Sequence, residues 1–217
     1  MGEEFIDEFF GNPTFDSGKT FVSSRATIIG DVTLEDGVIV APHTSIRADE
    51  GTPFYVGKGT NIQDNVTLHG LHGKHVEVVG EYYSIHIGSH CSIAHKALIH
   101  GPASIGKKTF IGFRAIVHFS TLGRNCFVNS GAVIQNSKIG NNCYIGINAV
   151  VEGVTIPDGR YVDHGAIIIS QDRVQLLPDL PMEIKAKCDA FNKEVADYNK
   201  LLVQLYLKRR QVKNSQK

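Results

Sequence analysis

An apolar residue recurs every six positions over most of this chain. The series begins at Ile28, is interrupted twice, resumes after one-residue slips and closes near Ile156. Its members are Ile28, Leu34, Val40, Ile46, Val56, Ile62, Leu68, Ile87, Ile93, Ile99, Ile105, Ile111, Val117, Leu122, Val128, Ile134, Ile139, Ile145, Val151 and Ile156. A short fixed repeat predicts a solenoid, because each repeat can bury its apolar side chain only against the next one.

A second column of residues supports this register. The residue two before each apolar position is small or β-branched, and glycine often follows the apolar residue. Glycine suits corners, where the backbone takes dihedral angles that other residues avoid. We therefore predict an all-β fold, a left-handed parallel β-helix of hexapeptide repeats over residues 26–170. Its three flat faces are named A, B and C here, with Ile28 on face A.

The small column contains three of the four cysteines, Cys91, Cys126 and Cys143, and no CxxC pair occurs. We expect these thiols to be small interior residues rather than metal ligands or redox groups.

Two segments lie outside the repeat. Residues 1–25 lack a period and are expected to form a lead-in segment that covers the first coil. A helix is predicted over 182–210, packed on the prism or on a neighbouring chain. Its apolar residues are spaced alternately by four and three: Ile184, Cys188, Phe191, Val195, Tyr198, Leu202 and Leu205.

Charge and hydropathy exclude several classes of partner. The 217 residues carry a formal net charge of zero, so there is no basic field that would attract nucleic acid. No stretch is long and apolar enough to span a bilayer, and the acidic N-terminus lacks the apolar core of a signal peptide. We expect a cytoplasmic protein that binds neither nucleic acid nor membranes.

The register brings two histidines together. If the second interruption, about 70–84, is a loop that leaves a corner, Leu68 and Ile99 both fall on face A. His69 and His100 then occupy the same outward position one coil apart, about 4.8 Å between backbones. Imidazoles at that separation can reach one metal ion. His118 follows one coil beyond, and we favour a role other than ligand for it.

A third histidine requires a second copy of the chain. His95 lies five residues before His100, which is about 12 to 16 Å of extended backbone with a bend between them. It must therefore reach the pair of another copy, and a three-fold homotrimer closes such a ring most simply. Three imidazoles form the ligand set of an open catalytic zinc site. The alternative is that these are surface or interface histidines.

Polar side chains follow the same columns. Gln63 and Asp64 come after Ile62 on face C, and His95 appears in the column of Asp64 one coil later. If His95 reaches a neighbouring site, Gln63 and Asp64 should accompany it, where such groups orient water or hold an imidazole.

Charged residues stand at the first interruption of the repeat, next to the face A column that contains His69. Arg47 lies one coil before His69 in the same column, and Asp49 and Glu50 follow it. We expect an interface ion pair between Arg47 and Asp49.

Four stretches carry a family resemblance: Ser45–Phe54 (SIRADEGTPF), Asn61–His69 (NIQDNVTLH), Ala94–Pro102 (AHKALIHGP) and Val154–Tyr161 (VTIPDGRY). Together they resemble the gamma-class carbonic anhydrases, over about residues 26–180. The N-terminal domain of the carboxysome scaffold protein is also similar, with the same run from Arg47 to Phe54.

The resemblance implies an enzyme: a homotrimeric carbonic anhydrase that interconverts carbon dioxide and bicarbonate with Zn²⁺, or Fe²⁺ in anaerobes. It gives the ligand roles to His69, His95 and His100. It further implies that Gln63 positions the attacking hydroxide, that Asp64 lies near the substrate and that Glu50 transfers protons. Asn199 would face the substrate pocket. Arg47 and Asp49 would connect the subunits.

The chain departs from the family at two places. The loop after the first ligand is shorter, and His72 stands where the family has a proton-shuttling glutamate; His72 or His75 could move protons instead. About one extra coil, residues 122–137, lies beyond the site. A hexapeptide acyltransferase with one histidine as general base, and a low-activity or non-enzymatic scaffold, are the alternative functions.

Overall fold

The computed structural model describes residues 11–214, which wind into a triangular prism with one long helix along a face. The strands are β1 (Phe21–Val22), β2 (Thr27–Gly30), β3 (Val32–Leu34), β4 (Ile39–Val40), β5 (Ser45–Ala48), β6 (Phe54–Val56), β7 (Asn61–Ile62), β8 (Thr67–His69), β9 (Val76–Val78), β10 (Glu81–Tyr83), β11 (Ile85–Ile87), β12 (Ser92–Ile93), β13 (Leu98–His100), β14 (Ala103–Ile105), β15 (Phe110–Ile111), β16 (Ile116–His118), β17 (Thr121–Leu122), β18 (Phe127–Val128), β19 (Val133–Gln135), β20 (Lys138–Ile139), β21 (Tyr144–Ile145), β22 (Val150–Glu152), β23 (Thr155–Ile156), β24 (Tyr161–Val162) and β25 (Ile167–Ile168). The helices are α1 (Gln171–Gln175) and α2 (Met182–Asn214).

Three parallel sheets form the faces of the prism. Face A has the strand order β2-β5-β8-β13-β16-β19-β22-β25, face B has β3-β6-β11-β14-β17-β20-β23, and face C has β1-β4-β7-β12-β15-β18-β21-β24. Each strand therefore pairs with the strand one coil before it and the strand one coil after it. The predicted fold class, a parallel β-helix with a C-terminal helix, is confirmed.

The six-residue column fills the axis of the prism. Ile46, Leu68, Ile99 and Val117 lie stacked on face A and are completely buried. Each buried aliphatic side chain of this kind contributes about 1.5–3 kcal/mol relative to exposure. A coil takes 18 residues from Ile99 to Val117 but 17 from Val117 to Ile134, which is the source of the slips in the sequence series.

The small column lies inside the corners. Cys91, Cys126 and Cys143 are free thiols with at most 1% exposure, as predicted for interior residues. Burial raises the pKa of the Cys91 thiol to about 12, so it remains protonated at neutral pH.

The second interruption forms a small structure of its own. Strands β9 and β10 pair as an antiparallel hairpin, and β9 contacts β11 and β14 on face B. The Nε2–H of His75 donates to the carbonyl oxygen of Thr52 at 2.9 Å. This hydrogen bond links the hairpin to residues 49–54, the first segment that interrupts the repeat. The expected loop is thus a hairpin, and the coil register passes through it unchanged.

Helix α2 runs back along face C. Tyr206 stacks on Phe21 in the first coil, with ring centroids 4.1 Å apart, whereas Phe191 meets Phe110 edge-on at 5.2 Å. The helix extends to Asn214, beyond the expected end at 210. No helix within residues 11–214 is long and apolar enough to cross a membrane.

The face of α2 that is buried differs in part from the predicted stripe. Asn199 and Val203 are 4% and 8% exposed, whereas the stripe residues Tyr198 and Leu205 are 59% and 51% exposed. The prism of the same chain therefore covers only part of the predicted stripe.

The prism also begins before the expected boundary at residue 26. Strand β1 already pairs with β4 on face C, and Thr14 bridges to Thr33. Of the predicted lead-in segment, residues 1–10 lie outside the described part of the chain.

Candidate metal centre

Two imidazoles stack at the outer surface of face A. Strand pairing places His69 directly beside His100, because β8 and β13 are neighbours despite the hairpin between them in sequence. The ring centroids lie 5.1 Å apart and the ring planes are nearly perpendicular, at 81°. The register predicted from the hexapeptide period is thereby confirmed.

Within residues 11–214, His69 lacks a hydrogen-bond partner at Nε2, and His100 forms its hydrogen bond through Nδ1. The Nδ1–H of His100 donates to the carbonyl oxygen of Gly101 at 3.1 Å; a carbonyl only accepts, so Nδ1 carries the proton and the Nε2 lone pair is free. His69 Nε2 is buried and has no hydrogen-bond partner among the described residues. An orphaned buried nitrogen is costly, and coordination of a metal ion would satisfy it.

Carboxylates surround this pair at a longer distance. Asp49 Oδ1 and Glu50 Oε1 each lie 3.7 Å from His69 Nε2. The Asp49 carboxylate accepts hydrogen bonds from Arg47 Nε at 2.9 Å and Nη2 at 2.6 Å. Burial opposes ionisation of Asp49, but these hydrogen bonds outweigh it and hold the pKa of Asp49 below its usual value. Arg47 thus keeps a negative charge beside the histidines.

His95 lies elsewhere, at the corner between faces C and A. Its Nδ1 is 3.1 Å from Asp64 Oδ2, and its ring stacks on Phe113 with centroids 5.6 Å apart. His95 is exposed. The carboxylate and the aromatic ring orient the imidazole so that Nε2 is available to a group outside the chain.

A chain of hydrogen-bonded polar side chains lies beside His95 on face C. Gln63 Nε2 donates to Asn61 Oδ1 at 3.0 Å, and Asn61 Nδ2 donates to Ser92 Oγ at 3.1 Å. Asn61 is completely buried. Because the amide nitrogen of Gln63 is engaged, its oxygen is the group left to accept a hydrogen bond.

Sequence reasoning did not single out Asn61, although a signal was present. In the same face C column, the later positions are the stacked aromatics Phe110, Phe127 and Tyr144. A polar pair, Asn61 and Ser92, interrupts this column next to His95.

The candidate site is divided between two surfaces of the chain. One surface carries Arg47, Asp49, Glu50, His69 and His100, and the other carries Asn61, Gln63, Asp64 and His95. Within residues 11–214 no three His, Cys, Asp or Glu side chains lie together as a metal site. A complete three-histidine site therefore requires a second copy of the chain, as the spacing predicted.

His118 continues the ladder of histidines by one coil. Its ring centroid is 5.0 Å from that of His100, at 88°. Burial and the neighbouring His100 lower the pKa of His118, and a hydrogen bond with Gln135 acts in the opposite direction. Strand pairing also places Gln135 beside it.

The remaining predicted residues lie apart from the histidine pair. His72 is exposed in the turn before the hairpin. Asn199 is buried against face C and lines a cavity with Gly37, Gly59 and His90. In a single chain Asn199 therefore lies near the corner between faces B and C, and its role in the site stays a prediction.

The donor set fits a borderline metal ion. Imidazoles without a competing thiolate suit Zn²⁺ and Fe²⁺, and the orphaned nitrogen of His69 with the fixed tautomer of His100 provides two of the required lone pairs.

Comparisons with known proteins found a matching family model and several relatives. A family model described as the hexapeptide repeat of succinyl-transferase matches residues 102–136 and 138–169. The carbonic anhydrase of Methanosarcina thermophila is 42% identical over 107 residues, which are 45% of this chain and 43% of that protein. The mitochondrial gamma carbonic anhydrase 1 of Arabidopsis thaliana is 35% identical over 97 residues, 45% of this chain and 34% of that protein. The resemblance to the gamma-class carbonic anhydrases is confirmed.

The carboxysome resemblance is confirmed as well. The carboxysome assembly protein CcmM of Nostoc sp. is 54% identical over 100 residues, 46% of this chain and 18% of that protein. The chain spans less than half the length of each of these curated relatives. The relatives of this chain thus include proteins named as carbonic anhydrases and a protein named as a carboxysome assembly protein.

Proposed function

We propose that this protein catalyses the metal-dependent, reversible hydration of carbon dioxide to bicarbonate at sites shared between copies in a homotrimer. The observation that carries the proposal is the stacked pair His69 and His100, with one nitrogen orphaned and the other held in the tautomer that a ligand needs. His95 of a second copy completes the set.

The three imidazoles would hold Zn²⁺ or Fe²⁺. When bound, such an ion acts as a Lewis acid that lowers the pKa of water towards neutrality and so supplies a nucleophile for carbon dioxide. Asp64 keeps the His95 ring in its orientation, and Gly101 does the same for His100.

Gln63 orients the attacking water in this proposal. Its amide nitrogen donates to Asn61, so its oxygen accepts a hydrogen bond from the water, which leaves a lone pair of that water for the attack on the carbon atom. The attack forms one C–O bond and moves the electron pair of one C=O π bond onto oxygen; with the loss of one proton from the water it yields bicarbonate, so no leaving group and no further covalent partner are required.

The released proton must reach solvent. Glu50 is suited to this step because its carboxylate lies 3.7 Å from His69 Nε2 while the side chain is 53% exposed. His72, three residues after His69 and exposed, is the second candidate for proton exchange.

The direct test combines metal analysis with stopped-flow hydration of carbon dioxide. Purified protein should be assayed after loading with Zn²⁺ and, under anaerobic conditions, with Fe²⁺. His100→Ala should lose both the metal and the hydration activity. His118→Ala, which removes the imidazole of the next coil, should retain the metal. Full activity in His100→Ala would refute the assignment.

Mixed oligomers test the sharing of the site. His95→Ala and His100→Ala should each be inactive alone, but each supplies what the other lacks. If they are unfolded and refolded together in equal amounts, about one quarter of the sites should be intact by random assembly in a ring. No recovery above the single variants would contradict a site built from two copies.

An assembly role is the second candidate function, and the observation that favours it is the 54% identity to CcmM of Nostoc. The same assays separate the two functions: a trimer that binds metal without measurable hydration activity supports assembly. Binding of acyl-CoA without bound metal would instead support the acyltransferase alternative.

A further inference from the structure

A groove separates helix α2 from the corner between faces B and C, away from the histidine pair. It encloses a cavity of about 550 Å³. The corner contributes His90, Lys108 and Asn125, and the helix contributes Asn192 and Lys200. A cavity of this size is within the range that holds small organic ligands.

Lysines lie on both sides of this groove, Lys108 on the corner and Lys200 on the helix. The ammonium groups of Lys58, Lys108 and Lys200 all act on the His90 imidazole; partial burial and these charges together lower the pKa of His90. Lys58 and Lys108 form no ion pair with a carboxylate in the part of the chain that the structure describes. Lys200 shares Asp197 with Lys193, at 3.4 and 2.6 Å.

The lining of the groove holds four lysines, Lys108, Lys185, Lys193 and Lys200, against two carboxylates, Asp189 and Asp197. Lys185 pairs with Asp189, and Lys193 and Lys200 share Asp197, so an excess of positive charge is left in the groove. A bound anion would balance this excess and gain charge-assisted hydrogen bonds from the lysines.

The groove continues into a less polar recess. This second cavity, about 250 Å³, shares His90, Ala196 and Lys200 with the first. Its walls include Gly37, Gly59 and Val203. The charged groove and the recess therefore present two chemistries side by side, an anion site and a surface for a flat or apolar group.

We propose that this groove binds a nucleoside phosphate, with the phosphate held by Lys108 and Lys200 and the base in the recess beside Val203. Asn125 and Asn192 line the charged part and offer amide groups to the phosphate or the ribose. The combined volume suits a nucleoside phosphate, whereas a bare inorganic anion would fill only the charged part.

Calorimetric titration of the full chain with ADP tests the proposal, with adenosine and inorganic phosphate as partial ligands. ADP should bind more tightly than either. The double variant Lys108→Ala, Lys200→Ala should weaken ADP binding by at least about tenfold, because charge-assisted hydrogen bonds to phosphate are lost. Lys138→Ala, an exposed lysine on face B, is the matched control and should bind within about twofold of the parent.

Three outcomes would overturn the proposal. They are no binding of ADP at about 1 mM, unchanged affinity in the double variant, or inorganic phosphate that binds as tightly as ADP, since the recess would then be unused. None of the residues that line the groove or the recess is His69, His95 or His100. His100→Ala should bind ADP as the parent does, so failure of the proposed hydration activity would leave this result unaffected.

Discussion

Asn61 accepts a hydrogen bond from Gln63, with 3.0 Å between Gln63 Nε2 and Asn61 Oδ1. A completely buried residue thereby fixes the rotation of a half-buried amide at the candidate site. Without this contact, the oxygen and the nitrogen of Gln63 could exchange places, and water would meet a donor instead of an acceptor.

We therefore expect Asn61→Ala to lower kcat for carbon dioxide hydration by about 10- to 100-fold while the metal content stays unchanged. Stopped-flow assays and metal analysis measure the two quantities. Because Asn61 acts through Gln63, the double variant with Gln63→Ala should be no slower than Gln63→Ala alone. Additive losses would show that Asn61 acts by another route.

Asp64 should control metal affinity through His95. Asp64→Asn keeps the shape of the side chain but removes the negative charge 3.1 Å from His95 Nδ1. We expect metal affinity to fall about 10- to 100-fold, measured by competition with a chelator. Asp172→Asn, an exposed change in α1, is the control. Equal affinity in the two variants would exclude this role for Asp64.

The two segments that interrupt the repeat, residues 49–54 and about 70–84, leave no space for a side chain where Gly51 and Gly70 meet. A Cβ atom at Gly70 would lie 2.3 Å from the carbonyl oxygen of Gly51. This contact is too short, and the backbone would have to move to relieve it. We expect Gly70→Ala to destabilise the fold by about 1–3 kcal/mol, measured by thermal unfolding. At Gly18 the nearest atom is a flexible carboxylate oxygen at 3.2 Å, so Gly18→Ala should change stability much less.

His86 should make stability depend on pH. Its ring stacks on Tyr55 at 5.1 Å, its Nδ1 is buried without a partner among the described residues, and burial lowers its pKa. The unfolded chain therefore binds a proton more readily than the folded chain. This contribution is present above the unfolded pKa, about 6.5, and is lost as pH falls from there towards the folded value.

The measurement is the melting temperature between pH 7.5 and 5.5. His86→Phe retains the stacked ring and lacks the titrating nitrogen, so its melting temperature should fall less over this range than that of the parent. Parallel curves for the two proteins would assign the pH dependence to other groups.

The pairing of His69 with His100 could be predicted because the six-residue period counts coils directly. A long insertion between the two residues does not disturb the count, since both ends of the hairpin return to the same corner. The same count of residues predicted that His95 lies too far from His100 in one chain to share a metal ion with it. The position of Asn61 required knowledge of which outward column the helix covers.

The rotation of α2 about its axis could not be read from spacing alone. An apolar stripe through Tyr198 and Leu205 predicted one face, but the structure buries Asn199 and Val203. Asn199 and Val203 line a cavity together with the corner glycines Gly37 and Gly59, so this adjacent face of the helix is turned towards the prism. Tertiary shape, rather than periodicity, selects between neighbouring stripes on a helix.

Each strand of the prism pairs only with its equivalents one coil away, and the histidine pair is set by the single step from β8 to β13. Whole coils of about 17 residues can therefore be added to or removed from the C-terminal end of the prism without changing the separation of His69 and His100. The length of the prism can thus change during evolution while the spacing of the two imidazoles stays constant.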